Sequence, residues 1–166
     1  MTLPMITTMA TLSLGLPTSA PEQNIYVHGS NDIYVSEHVS LRGDVFYYAG
    51  EQNQSGRMKD NHSLFSGVSY HFTDGQFDPY VTFQPGLALT RSNIGSGDRT
   101  SDLKVTPLVA GGAGARFFVS PQFHFFAEGR HVLGRHLSDA PRAVPLSETR
   151  VSFGLGLQLK STRGKR

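Results

Sequence analysis

Cysteine and tryptophan are both absent from the 166-residue chain. Without cysteine there is no disulfide, no thiolate nucleophile and no Cys-type zinc site, which suits a chain that must avoid mispaired thiols in an oxidising compartment. Charge is also scarce: Asp, Glu, Lys and Arg together make up 17%, against about 25% in an ordinary soluble domain. No apolar run approaches the ~18 residues that a membrane-crossing helix needs, so such a helix is excluded. The mean hydropathy of −0.25 leaves a bilayer open as solvent, because a spanning strand needs only every second residue to be apolar.

The formal charge of +2 is not a nucleic-acid signal. Lys160, Arg163, Lys165 and Arg166 crowd the final seven residues, and the rest carries eleven basic against thirteen acidic groups. The body is therefore mildly acidic. The tail reads as a solvated terminus or a contact for anionic lipid or cell-wall polymer. At the other end, residues 1–20 lack the basic n-region of a secretory signal, and Pro21 would follow the small-residue site. Ala10 to Leu16 reads instead as a strand, with Leu12, Leu14 and Leu16 alternating with Thr11, Ser13 and Gly15. An exported chain requires a signal, so this one is expected to be a mature or recombinant form.

What the sequence has in abundance is alternation. In Val151-Ser152-Phe153-Gly154-Leu155-Gly156-Leu157-Gln158-Leu159 the odd positions are large and apolar, and the even ones are Ser, Gly and Gln. A period of two puts these sets on opposite faces of a strand. The same pattern marks Ile25–Val35, Val39–Ala49, Ser63–Thr73, Tyr80–Thr90, Val105–Val119 and Phe123–Leu133, which with Ala10–Leu16 and the last strand from Thr149 makes eight strands. Ser36-Glu37-His38, Asp74-Gly75 and Ser120-Pro121-Gln122 are short turns alternating with four longer loops, as an up-and-down barrel requires. Pro85 and Pro107 fall inside strands and each removes a ladder donor, so bulges are expected there. The first short turn sets Val35 opposite Val39, and counting back places Asp32 across from Arg42 as a charge-assisted pair. The third sets Val119 opposite Phe123, leaving Arg116 diagonal to Glu128 and within reach of it.

A soluble lipocalin-like barrel would show the same alternation with its faces inverted. The polar face here is rich in Gly, Ser and Thr and holds Asp32, Arg42, Asp44, Arg116, Glu128, Arg130 and Arg150. Opposed charges among small residues suit the narrow interior of an eight-stranded barrel, which side chains just fill. They would be odd on a water-facing surface so poor in Lys. On the apolar face, Tyr70, Phe72, Phe117, Phe123 and Phe125 gather near the short turns as an interfacial girdle would. The tryptophan that lipocalins carry near their first strand is missing. The expected fold is thus all-β: an eight-stranded antiparallel up-and-down transmembrane β-barrel over residues 1–159, with a basic C-terminal tail at 160–166.

The stretches Ser36-Glu37-His38-Val39-Ser40-Leu41-Arg42-Gly43-Asp44-Val45-Phe46-Tyr47-Tyr48, Gly111-Gly112-Ala113-Gly114-Ala115-Arg116-Phe117 and Phe125-Phe126-Ala127-Glu128-Gly129-Arg130 carry a resemblance. Through them the chain resembles the eight-stranded outer-membrane β-barrels of the OmpA-like and OmpX-like superfamily, along essentially its whole length. The resemblance implies a bacterial outer-membrane location, and because short turns belong on the periplasmic side, both termini are expected in the periplasm. It also implies outer-membrane lipid and lipopolysaccharide as surroundings, an envelope protein as a possible partner, no nucleic acid and no cofactor. One departure stands out. Such barrels commonly end on an aromatic residue that the assembly machinery reads, whereas here Leu159 is followed by the basic heptapeptide.

Buried Arg and carboxylate groups can be catalytic, but in a narrow barrel a self-neutralising structural network is the simpler expectation. Of seven histidines, His131 and His136 are five apart with His124 earlier, yet parity faces His124 inward and His131 outward, so no metal site is expected. A hydrolase alternative rests on His136-Leu137-Ser138-Asp139 with Glu148 downstream. Outer-membrane lipid A deacylases, barrels of similar size, use a His, a Ser two residues on and a later Glu, an imidazole-activated hydroxyl oriented by a carboxylate. The His-x-Ser unit is similar, but Asp139 stands where that family has Asn, and the unit falls in a loop. Gly95-Ser96-Gly97 is too short and wrongly placed for a phosphate loop. A structural or envelope-interaction barrel with a plugged lumen leads; the hydrolase and a narrow pore are the alternatives.

Overall fold

The strand Phe123–Gly134 buries its even-numbered residues as far as Val132 and exposes every odd one between its ends, and its neighbours repeat the pattern. The computed structural model describes residues 5–17, 23–49, 58–92, 102–135 and 146–159. Eight strands run in chain order: β1 Ile6–Pro17, β2 Asn24–Tyr34, β3 Val39–Tyr48, β4 Met58–His71, β5 Phe77–Ser92, β6 Lys104–Phe118, β7 Phe123–Gly134 and β8 Glu148–Leu159. Each pairs antiparallel with the next, and β1 pairs with β8, so the sheet closes on itself. Closure leaves no edge strand with an unpaired row of backbone groups. Ile6 lies opposite both Leu159 and Ile33, which puts the start of β1 and the end of β8 at the rim carrying the short turns 35–38, 72–76 and 119–122.

Two of those turns use one device. In 35–38, the Val35 and Ser36 amides donate to the Val39 carbonyl at 2.9 and 3.2 Å, and the Val39 amide donates to Ser36 Oγ at 3.1 Å. In 119–122, the Val119 and Ser120 amides donate to the Phe123 carbonyl at 3.0 and 3.2 Å, and the Phe123 amide donates to Ser120 Oγ at 3.1 Å. A serine hydroxyl that accepts from the chain ahead closes the loop without needing glycine.

Several strands are longer than the alternation alone suggests. β1 begins at Ile6, because Thr7 and Met9 continue its inward set, and β5 begins at Phe77, with Pro79 lying in register opposite Ala115. The bulges expected at Pro85 and Pro107 are absent: the β5–β6 register runs unbroken through Pro85↔Val109 and Leu87↔Pro107. Both prolines sit where a neighbouring ladder is already open. The β4–β5 pairs lapse between Phe65↔Gly86 and Val68↔Phe83 without a slip, and the β6–β7 ladder starts at Leu108, one residue past Pro107. The register shift recorded between β4 and β5 lies instead between Met58 and Asp60.

Glycine marks the inner face where bulk approaches. A Cβ at Gly86 would run into the Phe65 ring and stand 2.6 Å from the Leu64 carbonyl oxygen, whereas one at outward-facing Gly111 would meet nothing nearer than the Thr82 carbonyl oxygen at 4.0 Å. Gly86→Val is therefore expected to destabilise the barrel by roughly 1–3 kcal/mol through overpacking, with Gly111→Val close to neutral. Urea unfolding of the two variants in lipid vesicles tests this; equal midpoints would show that the inner wall has room to spare.

Candidate functional site

The interior is built in layers along the barrel axis. Nearest the long loops lies an apolar cluster in which Tyr26, Phe46, Tyr48, Phe65, Leu108, Val132 and Leu146 meet. Arg150 reaches up beneath it, with its guanidinium 4.2 Å from the Tyr26 ring centre and 4.5 Å from that of Phe46. Arg150 Nε donates to Glu148 Oε1 at 2.7 Å and Nη1 to Ser63 Oγ at 2.7 Å. The Tyr26 hydroxyl donates to the same Glu148 oxygen at 2.6 Å, and Asn24 Nδ2 donates to Oε2 at 2.8 Å. A guanidinium flanked by aromatic faces and paired with a carboxylate keeps its charge satisfied in a space closed to water.

The middle layer is centred on Arg42. Its Nε and Nη2 donate to the two oxygens of Asp44 at 3.0 Å each, and Nη1 lies 2.7 Å from Glu128 Oε2 on the far wall. Arg130 bridges the same two acids, with Nη2 at 2.7 Å from Glu128 Oε1 and 3.2 Å from Asp44 Oδ2. His28 Nε2 at 2.7 Å and the Gln84 amide at 2.6 Å complete the shell of Asp44, and the Tyr80 hydroxyl donates to Glu128 at 2.7 Å. All four ionic side chains are at most 1% exposed.

The third layer faces the short-turn rim. Arg116 pairs with Asp32 and donates to the Tyr34 hydroxyl at 2.6 Å, while Ser40 Oγ donates to Asp32 Oδ1 at 2.7 Å. His71 lies 2.8 Å from Asp78 Oδ2 through Nδ1 and 3.1 Å from Ser40 Oγ through Nε2.

Asp32, Arg42, Asp44, Arg116, Glu128, Arg130 and Arg150 all lie inside the wall, but the partners differ from those that register suggests. Asp32 is directly opposite Arg42 across β2 and β3, yet Arg42 pairs with Asp44 and Glu128, and Asp32 with Arg116. Arg116 and Glu128 do not pair either; Glu128 takes Arg42 and Arg130. Three of the four arginines meet an acid two residues away on their own strand, Arg42 with Asp44, Arg130 with Glu128 and Arg150 with Glu148, while Arg42 and Arg116 also reach Glu128 and Asp32 across the lumen. The charge balance also changes. Asp78 and Glu148 join Asp32, Asp44 and Glu128, giving five buried carboxylates against four buried arginines among the described residues. Asp78 escapes a strand taken to start at Tyr80, although extending the even-numbered inward set of β5 by one step reaches it.

The outward aromatics Tyr70, Phe72, Phe117, Phe123 and Phe125 are each about half exposed and stand close to the short-turn rim, joined there by Phe77 opposite Phe117. With Phe77 they occupy β4 to β7 and the turn after β4, one side of the barrel. His124 faces inward and is fully buried, and His131 faces outward against Thr149. No group of three or more His, Asp or Glu among the described residues could hold a metal ion. Of the hydrolase candidates, His136, Ser138 and Asp139 lie outside the described residues, as do Gly95-Ser96-Gly97 and the tail 160–166. Glu148 is described, and its carboxylate is shared among Arg150, Tyr26 and Asn24.

No family model and no curated protein matches the sequence. Solved structures do. The outer membrane protein OprG from Pseudomonas aeruginosa superposes with a TM-score of 0.73 at 10% identity, covering 96% of this chain and 98% of that one. The N-terminal β-barrel domain of Pseudomonas aeruginosa OprF gives 0.71 at 15% identity over 96% of this chain and 100% of that one. Ail, the attachment invasion locus protein of Yersinia pestis, gives 0.59 at 13% over 96% and 100%. The chain therefore has the fold of the eight-stranded outer-membrane barrels.

The middle layer makes a sharp energetic prediction. Glu128→Gln leaves Arg42 and Arg130 sharing Asp44, and Arg42→Met leaves Glu128 short of a cation; breaking a buried pair in this way costs about 3–5 kcal/mol. The double variant removes one charge of each sign and keeps the Arg130–Asp44 contact, so it is expected to be more stable than either single variant. Denaturant midpoints for the three proteins check it, and additive losses would rule out a coupled network.

Proposed function

We propose that the chain is an integral outer-membrane β-barrel whose lumen is plugged by its own side chains and which serves a structural or envelope-interaction role, without catalysis. One observation carries the reading: the burial pattern is inverted relative to a protein that faces water. Phe153 is 64% exposed, Leu12 62% and Phe83 60%, while Arg116 and Asp32 are 0%. Water would leave that continuous Leu, Val and Phe surface at a large cost, because transfer of apolar area out of water contributes about 25 cal/mol per Å². Lipid removes it. A soluble barrel of lipocalin type would place this face inside. The paired arginines and carboxylates and the aromatic cluster above them support a filled lumen rather than a conducting one. The short-turn rim and both chain ends then belong on the periplasmic side, where such barrels carry their short turns. Sharing of Glu148 among three partners argues against its orienting a catalytic histidine, since it would have to leave Arg150 to do so.

The purified protein in detergent is expected to migrate anomalously on a gel until boiled, to give no unitary current steps in a planar bilayer, and to leave the mass of added lipid A unchanged. Good solubility in plain buffer with no heat-modifiable band would sink the membrane reading. Discrete current steps would replace the plug with a pore, and loss of an acyl chain from lipid A would restore the hydrolase.

A further inference from the structure

The outer wall carries a polar row inside its apolar belt. Thr8, Asn31, Gly43 and Ser66 lie opposite one another across four consecutive strands, and all four alternate with the inward set. The flanking rows are apolar and exposed, with Ile33, Leu41 and Val68 toward the short turns and Val45 and Leu64 on the other side. Asn31 is the member that the barrel itself leaves unsatisfied. Thr8 Oγ1 donates to Asn31 Oδ1 at 2.7 Å, and the amide N–H groups of Asn31 have no partner among the described residues. A serine or threonine hydroxyl can turn back onto its own backbone, but an amide donor that faces hydrocarbon alone is costly. The ground around Asn31 is also low. Gly29 and Gly43 face outward beside it, and a Cβ on either would meet nothing nearer than a carbonyl oxygen, at 3.9 and 4.0 Å. Packing inside the barrel therefore asks for neither glycine, unlike Gly86. Glycine within a strand weakens it and marks a place where another backbone approaches closely.

We infer that this patch, centred on Asn31, docks a second copy of the chain within the membrane, an inference that rests on the outer-membrane reading above. The side-chain amide is its own complement, because it both donates and accepts. Across a two-fold axis along the membrane normal, each Asn31 gives an N–H to the other's Oδ1, and Thr8 leaves one lone pair of that oxygen open. Lipid tails offer neither donor nor acceptor, whereas a second copy presents the same amide at the same depth. A single asparagine in an apolar helix interface fixes partner and register in the same way. Small residues recur on β6 and β7, where Ala113 lies opposite Gly129 and Ala115 opposite Ala127, but that patch holds no polar side chain to select a partner.

Sedimentation equilibrium of the full chain in density-matched detergent micelles tests the inference. A reversible monomer–dimer equilibrium is expected. Asn31→Leu is expected to weaken it about tenfold, because two-fold symmetry counts each lost hydrogen bond twice. Gly43→Phe raises the low ground and is expected to weaken it at least as much, while Gly129→Phe, the same change on the β7 patch, leaves it unaltered. Both glycines have open space outside the wall, so neither substitution disturbs the barrel. The heat-modifiable band is read on every variant. A chain that keeps the band and stays monomeric at all concentrations overturns the inference and leaves the membrane reading standing. So does a dimer untouched by Asn31→Leu and Gly43→Phe, or one weakened by Gly129→Phe instead. A chain without the band overturns both.

Discussion

Eight strands closed into a barrel enclose a space that the inward side chains must fill themselves. Everything else in the structure follows from that narrowness. Residues on one inner level face each other across the lumen, so a long side chain on one wall must be matched by a short one opposite or alongside. The pairing of Gly86 with the Phe65 ring, and of Gly114 with the Tyr80 ring, shows the rule at work. The same narrowness brings Arg42 on β3 to Glu128 on β7, strands that share no ladder. The wall is held by backbone ladders between neighbours, and the interior adds ties between strands that are not neighbours.

Charge is what makes those ties specific. An apolar core of similar volume would be equally compact, and replacing buried ion pairs by hydrophobic groups is often neutral or stabilising. What apolar side chains cannot do is choose partners. Asp44 accepts from Arg42 and Gln84, with His28 at hydrogen-bond distance, and each of these arrives from a direction that only one register allows. A slip of one residue in β3 would turn Asp44 and Arg42 outward together. Five buried carboxylates against four buried arginines among the described residues leave the network short of one cation, with His28, His71 and His124 as the remaining basic groups in the interior.

How much of this was legible in the sequence differs by level. The period of two is a property of each strand by itself, so Val151 to Leu159 reads correctly without a neighbour in view. Register follows from turn length, and the placement of Asp32 opposite Arg42 was accessible in that way. Side-chain partners were not. Those that cross the lumen depend on which strands face each other there, a consequence of closure that no local pattern contains, and this is why Arg116 finds Asp32 rather than Glu128. Proline misled in the other direction. Pro85 and Pro107 suggested bulges, but each removes one donor only, and the β5–β6 ladder tolerates both in register. Asp78 was missed because β5 was read from Tyr80, whereas its ladder with β6 starts at Phe77.

The two ends of the barrel are chemically unequal, and the inequality bears on what the interior can do. Toward the long loops, Tyr48, Leu108, Val132 and Leu146 form a dry cap over the aromatic-flanked Arg150. Toward the short turns, the interior opens into a recess lined by Glu37, Asp74 and the buried Asp78, which pairs with His71. A route through the barrel would need polar groups at both ends and a continuous space between them. Here Arg42, Arg130, Asp44 and Glu128 bind one another across the lumen, and the cluster toward the long loops is largely apolar.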